Sequence, residues 1–262
     1  MIILKTEDEI VLMRAANLLV ADTLAELGKI IRPGVSTSDL DKLAEQYIRD
    51  HGGVPTFKGF PNSYGGPFPG SICTSVNDVV VHGIPGKEVL KDGDIISVDC
   101  GALLNGFNGD SCYTFCVGEV KDEVRALLRV TKEALYEGIR SACVGKRLGD
   151  IGFSVQTHCE NAGYGVVREF VGHGIGKEMH EDPQVPNYGR RGNGISIKNG
   201  LCIAIEPMIT MGSPAIGMMP DRWTIKTLDG KPAAHFEHTI AIHNGKADIL
   251  SSFEKIECQE NS

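Results

Sequence analysis

The sequence predicts an α+β fold in which two similar halves share one curved antiparallel sheet. Of its 262 residues, 42% are hydrophobic and 23% are charged, which is enough to bury the core of a single domain. An order of helix, helix and strands occurs twice, and four positions match at an offset of 111 residues. The matches are Gly34 with Gly145, Asp39 with Asp150, Leu40 with Ile151 and Gly52 with Gly163. These observations predict pseudo-two-fold halves over about 6–118 and 119–245, followed by a tail over 246–262.

The first half opens with two predicted helices. Thr6-Glu7-Asp8-Glu9 has the form of a capping box, and apolar residues recur behind it at helical spacing up to the Pro33-Gly34 turn. A second helix begins near Ser38 and stops at Gly52-Gly53. The loop over 55–70 is rich in Gly, Pro and aromatic residues, and aromatic residues in a loop often line a pocket.

Strands dominate the rest of the chain, with a second helix pair between them. We expect strands at about 71–76, 79–84, 94–101, 107–117, 200–206 and 235–242. The second pair of helices spans about 121–142 and 150–162. This order repeats that of the first half and therefore supports one shared sheet.

Charge and hydropathy argue against several classes of protein. The formal net charge of −8 disfavours nonspecific binding to DNA or other nucleic acid. No apolar run approaches the ~20 residues that cross a membrane, and the acidic start of the chain is unlike a signal peptide. Cys112 and Cys116 alternate within an apolar strand pattern, which indicates buried thiols rather than a zinc site. We expect a cytoplasmic protein without disulfides.

Four carboxylates lie in segments that otherwise have the pattern of core strands. The four are Asp99, Asp110, Glu206 and Glu237. Alternation places each acid on the strand face away from the strongest apolar row. A solvated face would explain any one of them, but these faces also carry Ala, Cys and Thr instead of Lys, Arg or Gln. Together they indicate a functional cluster.

The spacing of two of these acids indicates a metal. An Asn105-Gly106 hairpin turn would place Asp99 diagonally beside Asp110 on one face of the sheet. Carboxylates so close repel each other unless a proton or a cation neutralises them. His173 is the remaining candidate ligand, because it lies among glycines that offer it no packing partner. One imidazole and four carboxylates suit two divalent ions.

The same residues fall within longer motifs. These are Cys73-Thr-Ser-Val-Asn-Asp-Val-Val-Val-His82, Gly172-His-Gly-Ile-Gly-Lys-Glu-Met-His180-Glu-Asp-Pro, Ile205-Glu206-Pro-Met, Asp221-Arg-Trp223-Thr and Phe236-Glu237-His238-Thr. Over essentially the whole chain, the sequence resembles the type I methionine aminopeptidases, a branch of the pita-bread metallopeptidases. Only 30 residues separate Glu206 from Glu237, too few for the helical insertion of type II enzymes. We also expect the short bacterial form, with no zinc-binding extension or leading domain before the core.

The resemblance implies a fold, a reaction and a role for each site residue. The fold is the pita-bread fold, and two divalent ions (cobalt, manganese, iron or zinc) would activate a water that attacks the first peptide bond. Their ligands would be Asp99, Asp110, His173, Glu206 and Glu237, with Asp110 and Glu237 bridging both ions. Glu206 would accept the proton of that water. His180 would donate to the developing oxyanion, and His82 would contact the next peptide nitrogen.

An apolar pocket would hold the methionine side chain. The candidates that line it are Cys73, Trp223, Phe60, Tyr64, Phe68 and Met179. Met179 stands where the bacterial enzymes usually have Phe, and the aromatic loop is longer than usual, so the choice among the aromatic residues stays open. The alternative for Trp223 is a place in the core. His235, His238 and His243 are interpreted as structural or exposed, as are His51 and His158.

The favoured function is removal of the N-terminal methionine from nascent proteins and peptides when the second residue is small. One alternative is an aminopeptidase of the same fold that acts before proline. Another is a noncatalytic binding protein for a peptide or ribosomal RNA, which five intact ligands argue against. We expect a monomer that contacts nascent N-termini and transiently the ribosome.

Overall fold

The computed structural model describes residues 1–62 and 65–260. Its helices are α1 (Glu7–Gly28), α2 (Thr37–Asp50), α3 (Asp122–Ser141), α4 (Leu148–Asn161) and α5 (Glu254–Glu260). Its strands are β1 (Val54–Pro55), β2 (Ile72–Val76), β3 (Val79–Val81), β4 (Ile95–Leu104), β5 (Phe107–Cys116), β6 (Gly165–Val166), β7 (Gly172–Gly174), β8 (Glu181–Val185), β9 (Cys202–Ile205), β10 (Met208–Thr210), β11 (Ile216–Met218), β12 (Ile225–Thr227), β13 (Ala233–His235), β14 (Glu237–His243) and β15 (Lys246–Ile249).

An antiparallel sheet of nine strands organises the part of the chain that the structure describes. Its order is β1-β4-β5-β14-β9-β7-β8, with β2 paired to β4 and β15 paired to β14. Two three-stranded sheets, β13-β10-β6 and β11-β12-β3, accompany it. The predicted α+β class is confirmed, whereas the division into two halves and a tail stays a prediction. None of the described helices is long and apolar enough to cross a membrane.

The two faces of the main sheet differ in chemistry. On one face, an apolar row that includes Ile96, Val98 and Ile203 joins the main hydrophobic core together with residues of α1 to α4. Alternation along the strands places the buried acids on the opposite face. The helices therefore cover the back of the sheet and leave its acidic face for a site.

The first two helices begin at side chains that cap them, and the start of the second differs slightly from the prediction. Thr6 caps α1, because its Oγ1 accepts a hydrogen bond from the Glu9 N–H at 3.3 Å and the Glu9 carboxylate accepts one from the Thr6 N–H at 3.0 Å. The second helix begins at Thr37, one residue before the predicted start near Ser38. Ser36 is its N-cap, since its hydroxyl accepts from the Asp39 N–H at 3.2 Å.

The predicted hairpin has the predicted register. Asn105 and Gly106 have positive φ of 53° and 80°, as the tight turn between β4 and β5 requires. Gly101 then pairs with Asp110, and Asp99 pairs with Cys112. Directly paired residues share a face, so Asp99 and Asp110 lie on the same side of the sheet.

Three strands are shorter than predicted, and one of them is β9, which covers only Cys202–Ile205 of the expected 200–206. The strand expected over 79–84 ends at Val81, because His82 adopts a left-handed backbone with φ of 58°. The strand expected over 235–242 is divided at the buried Phe236. His235 consequently ends β13 and pairs with Met208 of β10, whereas Glu237 begins β14 in the main sheet.

His238 is a buried histidine on the helix-facing side of β14. Its Nδ1 lies 2.6 Å from the hydroxyl of Ser251, and its ring stacks on that of Phe253 with centroids 3.9 Å apart. Burial lowers the pKa of His238 to about 3 from the ordinary 6.5. The ring is therefore neutral in the folded protein throughout the mildly acidic range.

Acid should destabilise the protein through His238. Between pH 6.5 and about 3, the unfolded chain binds a proton at this ring that the folded chain does not bind. The free energy of unfolding should therefore fall as the pH falls, by up to about 1.4 kcal/mol per pH unit from this group alone. Above pH 6.5 the ring is neutral in both states and contributes no slope.

Denaturant titrations at several pH values between 4 and 7 test this expectation. The variant His238→Gln removes the titrating group, so its unfolding free energy should depend less steeply on pH than that of the parent. Equal slopes for the two proteins would contradict the assignment, whatever the difference in their stability at pH 7.

Candidate metal centre

The five predicted ligands meet at one cavity. Asp99 lies on β4, Asp110 on β5, His173 in the middle of β7, Glu206 directly after β9, and Glu237 at the start of β14. The cavity has a volume of about 190 Å³, and all five side chains line it. Strands that are far apart in sequence therefore deliver one imidazole and four carboxylates to the same space.

Strand register explains why three of the acids are neighbours. Cys112 pairs with Asp99 on one side and with Glu237 on the other. Asp110 precedes Cys112 by two residues on the same strand and thus shares its face. The acids of β4, β5 and β14 consequently surround one position on the sheet.

His173 presents one particular nitrogen to the acids. Its Nδ1 lies 2.9 Å from the carbonyl oxygen of Gly174, to which it donates a hydrogen bond. The Nε2 atom then carries the lone pair, 3.6 Å from Asp110 Oδ2 and 3.7 Å from Glu206 Oε1. A backbone carbonyl that fixes the other nitrogen is the usual arrangement for a metal-binding histidine.

Three of the buried acids have unsatisfied oxygen atoms. Among the described residues, one carboxylate oxygen each of Asp99, Asp110 and Glu237 is buried and makes no hydrogen bond. Burial and the neighbouring carboxylates raise the pKa of Asp99 and of Glu237 well above the usual range. Burial also raises the pKa of Asp110, although the neighbouring His173 ring opposes that effect.

These atoms fit divalent cations. Ligand atoms of Asp110, His173 and Glu237 all lie within 4.8 Å of one another, as atoms around a shared ion must. Cations would satisfy the unpaired oxygens and remove the repulsion between the carboxylates. The donor set, mainly oxygen with one imidazole nitrogen, suits the harder divalent metals.

The backbone of Asp110 is held from two sides. The Asn17 side chain of α1 accepts a hydrogen bond from the Asp110 N–H at 3.2 Å, and the Thr239 hydroxyl donates one to the Asp110 carbonyl at 2.9 Å. A Cβ atom at the preceding Gly109 would collide with the backbone of α1 at Ala16. The helix therefore lies directly against the strand and fixes the position of this acid.

Two further histidines stand around the acids. The ring centroids of His180 and His173 are 4.3 Å apart, and His180 also contacts the edge of Phe60 at 5.2 Å. His82 contacts Phe170 at 5.4 Å and Trp223 at 6.2 Å, both edge to face. Desolvation by the surrounding protein lowers the pKa of each to about 4, although the His180 side chain still reaches solvent at the cavity mouth. Both rings are therefore neutral N–H donors at pH 7.

Most of the predicted pocket residues lie in the cavity wall. Phe60, Phe68, Cys73 and Trp223 line it. Trp223 packs edge to face on Phe68 at 5.1 Å, and its indole N–H donates to the Gly66 carbonyl at 3.0 Å. Trp223 is half-buried and precedes β12, so it belongs to the wall rather than to a core strand.

Two of the predicted pocket residues are placed differently. Met179 is buried in a small apolar cluster with Ile175, against which Phe57 and Phe60 pack, and it is absent from the cavity lining. Met179 can therefore affect the shape of the pocket only through its packing with Phe57 and Phe60. Tyr64 lies outside the residues that the structure describes.

Phe57 also lines the cavity, as the composition of the aromatic loop predicted. Five other residues of the cavity wall were not among the predicted site residues, namely Val81, Phe170, Val171, Met208 and His235. The interpretation of His235 as structural or exposed did not place it at the site, yet its side chain is 3% exposed and its Nε2 lies 3.5 Å from Glu206 Oε2. Its spacing of two residues from Glu237 was an available signal. Phe170 precedes β7 in a segment without periodicity and gave none.

A sheet that presents buried carboxylates and a histidine to an enclosed cavity defines a metal-dependent enzyme of the pita-bread fold. The chain belongs to metallopeptidase family M24, whose model matches residues 11–244.

Relatives named methionine aminopeptidase match this chain over nearly their full length. The methionine aminopeptidase of Clostridium acetobutylicum is 52% identical over 97% of this chain and 100% of its own. Methionine aminopeptidase 1 of Bacillus subtilis is 52% identical over 96% of this chain and 99% of its own. The crystal structure of the Rickettsia prowazekii methionine aminopeptidase, at 39% identity, has a TM-score of 0.92 over 96% of this chain and 100% of its own. The Bacillus anthracis Xaa-Pro dipeptidase, at 21% identity and a TM-score of 0.74 over 95% of this chain and 62% of its own, shares the fold.

Proposed function

We propose that this metallopeptidase removes the N-terminal methionine from nascent proteins and peptides whose second residue is small. The observation that carries the proposal is the position of four acids and one histidine in a small cavity with aromatic walls. Relatives that are 52% identical over nearly the whole chain bear the name methionine aminopeptidase. The match to an Xaa-Pro dipeptidase, at 21% identity, concerns the fold alone and does not favour cleavage before proline.

The proposed cofactor is a pair of divalent ions, either cobalt, manganese, iron or zinc. They would be held by Asp99, Asp110, His173, Glu206 and Glu237, with Asp110 and Glu237 shared between them. The unpaired oxygens of Asp99, Asp110 and Glu237 support this assignment. When bound, the ions supply a nucleophilic water at neutral pH and polarise the scissile carbonyl.

The protein groups around the ions have separate tasks. Glu206 accepts the proton of the attacking water, since its carboxylate lies at the cavity beside His173. Neutral His180 donates its N–H to the carbonyl oxygen as negative charge develops there. His82, a neutral ring beside Phe170 and Trp223, contacts the nitrogen of the next peptide bond.

The cavity wall explains a preference for methionine. Phe60, Phe68, Cys73 and Trp223 offer aromatic and sulfur surfaces, which make favourable contacts with a thioether. The volume of about 190 Å³ is below the ~300–1,000 Å³ of typical small-molecule sites. Such a cavity favours a single side chain over an extended peptide. New chains carry methionine as they leave the ribosome, so we place the enzyme in the cytoplasm, with at most transient contact with the ribosome. We propose that it acts as a monomer.

Release of free methionine from two peptides tests the proposal. Metal-stripped protein is titrated with Mn²⁺ or Co²⁺ in the presence of Met-Ala-Ser or Met-Leu-Ser. We expect metal-dependent release from Met-Ala-Ser and none from Met-Leu-Ser, because the proposed activity requires a small second residue. Absence of release at every metal concentration would overturn the proposed substrate, and peptides with proline in second position would be tried next.

A further inference from the structure

The carboxylate of Glu206 lies between two imidazole rings. Its Oε1 is 3.7 Å from His173 Nε2, and its Oε2 is 3.5 Å from His235 Nε2. The role of His173 as a ligand is already accounted for, since its Nδ1–H donates a hydrogen bond to the Gly174 carbonyl and leaves Nε2 to face the acids. The second ring, His235, has no role in the proposed reaction.

The backbone of His235 is fixed by the strand that carries Asp110. Its N–H donates to the Thr114 hydroxyl at 3.0 Å, and its carbonyl oxygen accepts from the same hydroxyl at 2.7 Å and from the Cys112 thiol at 3.5 Å. On its other side, His235 pairs with Met208, two residues after Glu206. The backbone that carries the ring is thus held by β5, which bears Asp110, and by β10, which begins two residues after Glu206.

The Nε2 atom of His235 is a buried polar atom whose hydrogen-bonding capacity is unsatisfied. It makes no hydrogen bond within the described part of the chain, and the side chain is 3% exposed. Leaving such a group unpaired costs about 1–3 kcal/mol. The Glu206 oxygen at 3.5 Å needs to approach by only a few tenths of an ångström to accept a normal hydrogen bond.

We propose that His235 is a positioning residue for Glu206. Its Nε2–H donates to Oε2 and thereby turns Oε1 toward His173 and Asp110, where the proposed ions bind. The inference rests on the metal centre of the proposed function and adds to it a second imidazole that holds a ligand rather than an ion. Because the donor acts on a ligand, its loss should weaken metal binding without changing the number of ions bound.

Metal binding by variants of His235 tests this role without any peptide. His235→Leu and His235→Phe remove the donor, and the second retains a ring of similar shape; His235→Gln retains a neutral N–H donor. Chelator competition with Mn²⁺ measures affinity and stoichiometry on metal-stripped protein, after circular dichroism has shown which variants are folded. We expect Leu and Phe to raise the dissociation constant about tenfold or more, and Gln to raise it about threefold or less.

His238→Gln provides the matched control, since His238 is equally buried but faces the helices. Its Mn²⁺ affinity should equal that of the parent. Unchanged affinity in His235→Leu or His235→Phe would overturn the inference, as would loss of one ion, which would make His235 a ligand. If the parent binds Mn²⁺ but releases no methionine, the proposed substrate fails while this inference is still decided by the affinities.

Discussion

Asp110→Asn and Glu237→Gln should each abolish methionine release from Met-Ala-Ser. Both side chains are almost completely buried, with exposed fractions of 3% for Asp110 and 2% for Glu237, and each has an oxygen without a hydrogen-bond partner. An amide of the same shape keeps the packing but removes the charge and directs hydrogens toward the cations. Loss of one partner from a buried charged cluster typically costs about 3–5 kcal/mol, which corresponds to roughly 10²–10³-fold or more in activity.

Without metal, the same two substitutions should not destabilise the protein. In the metal-stripped protein, burial and the repulsion of neighbouring carboxylates disfavour the charged form of these acids, as the raised pKa of Glu237 indicates. A neutral amide relieves that repulsion, so the melting temperature of each metal-free variant should equal or exceed that of the metal-free parent. Added Mn²⁺ should raise the melting temperature of the parent and raise that of the variants much less.

The exposed change Glu133→Gln on α3 is the control for this pair of measurements. Glu133 forms a surface pair with Arg129 at 3.1 Å, so its loss should affect neither metal binding nor turnover. Full turnover by either Asp110→Asn or Glu237→Gln would show that the acid concerned does not hold the ions, and the shared-ligand assignment would have to be abandoned.

Local rules predicted the parts of the site that depend on local geometry. The register of the β4–β5 hairpin follows from a two-residue turn, so the placement of Asp99 beside Asp110 could be worked out by counting. The alternation of side chains likewise predicted that the acids would leave the apolar face. Both inferences need only residues that are close in sequence.

Contacts between distant strands could not be counted in this way. His235 reaches Glu206 because β13 pairs with β10 in a separate sheet, whereas β14 joins the main sheet only two residues later. The sequence over 235–242 alternates without a visible break, so it predicted one strand. The division at Phe236 depends on the core that this side chain enters, which the local pattern does not reveal.

In the aromatic loop, too, the local sequence did not reveal which side chains face the cavity. Composition indicated that its aromatic residues line a pocket, and Phe60 and Phe68 do so together with Phe57. Nothing local distinguished these from Met179, which is buried in a cluster with Ile175 against which Phe57 and Phe60 pack. A side chain faces the cavity or the core according to neighbours supplied by strands far away in sequence.

His180→Ala should reduce kcat by roughly 10²–10³-fold while the metal content stays that of the parent. The ring contacts His173 and Phe60, and it lies at the cavity mouth rather than among the buried acids. Its loss should therefore leave the ligands in place. Because desolvation lowers its pKa to about 4, the ring at pH 7 is a neutral donor whose hydrogen bond strengthens as the carbonyl oxygen becomes negative.

The conservative variant His180→Gln separates a donor from a structural role. A glutamine N–H replaces the hydrogen bond without the ring, so part of the lost kcat should return, whereas a purely structural role of the ring would leave Gln as impaired as Ala. Since the donor acts in the transition state, KM should change little in either variant. Loss of bound metal from His180→Ala, measured by atomic spectroscopy, would instead make His180 a ligand and would require a different donor for the oxyanion.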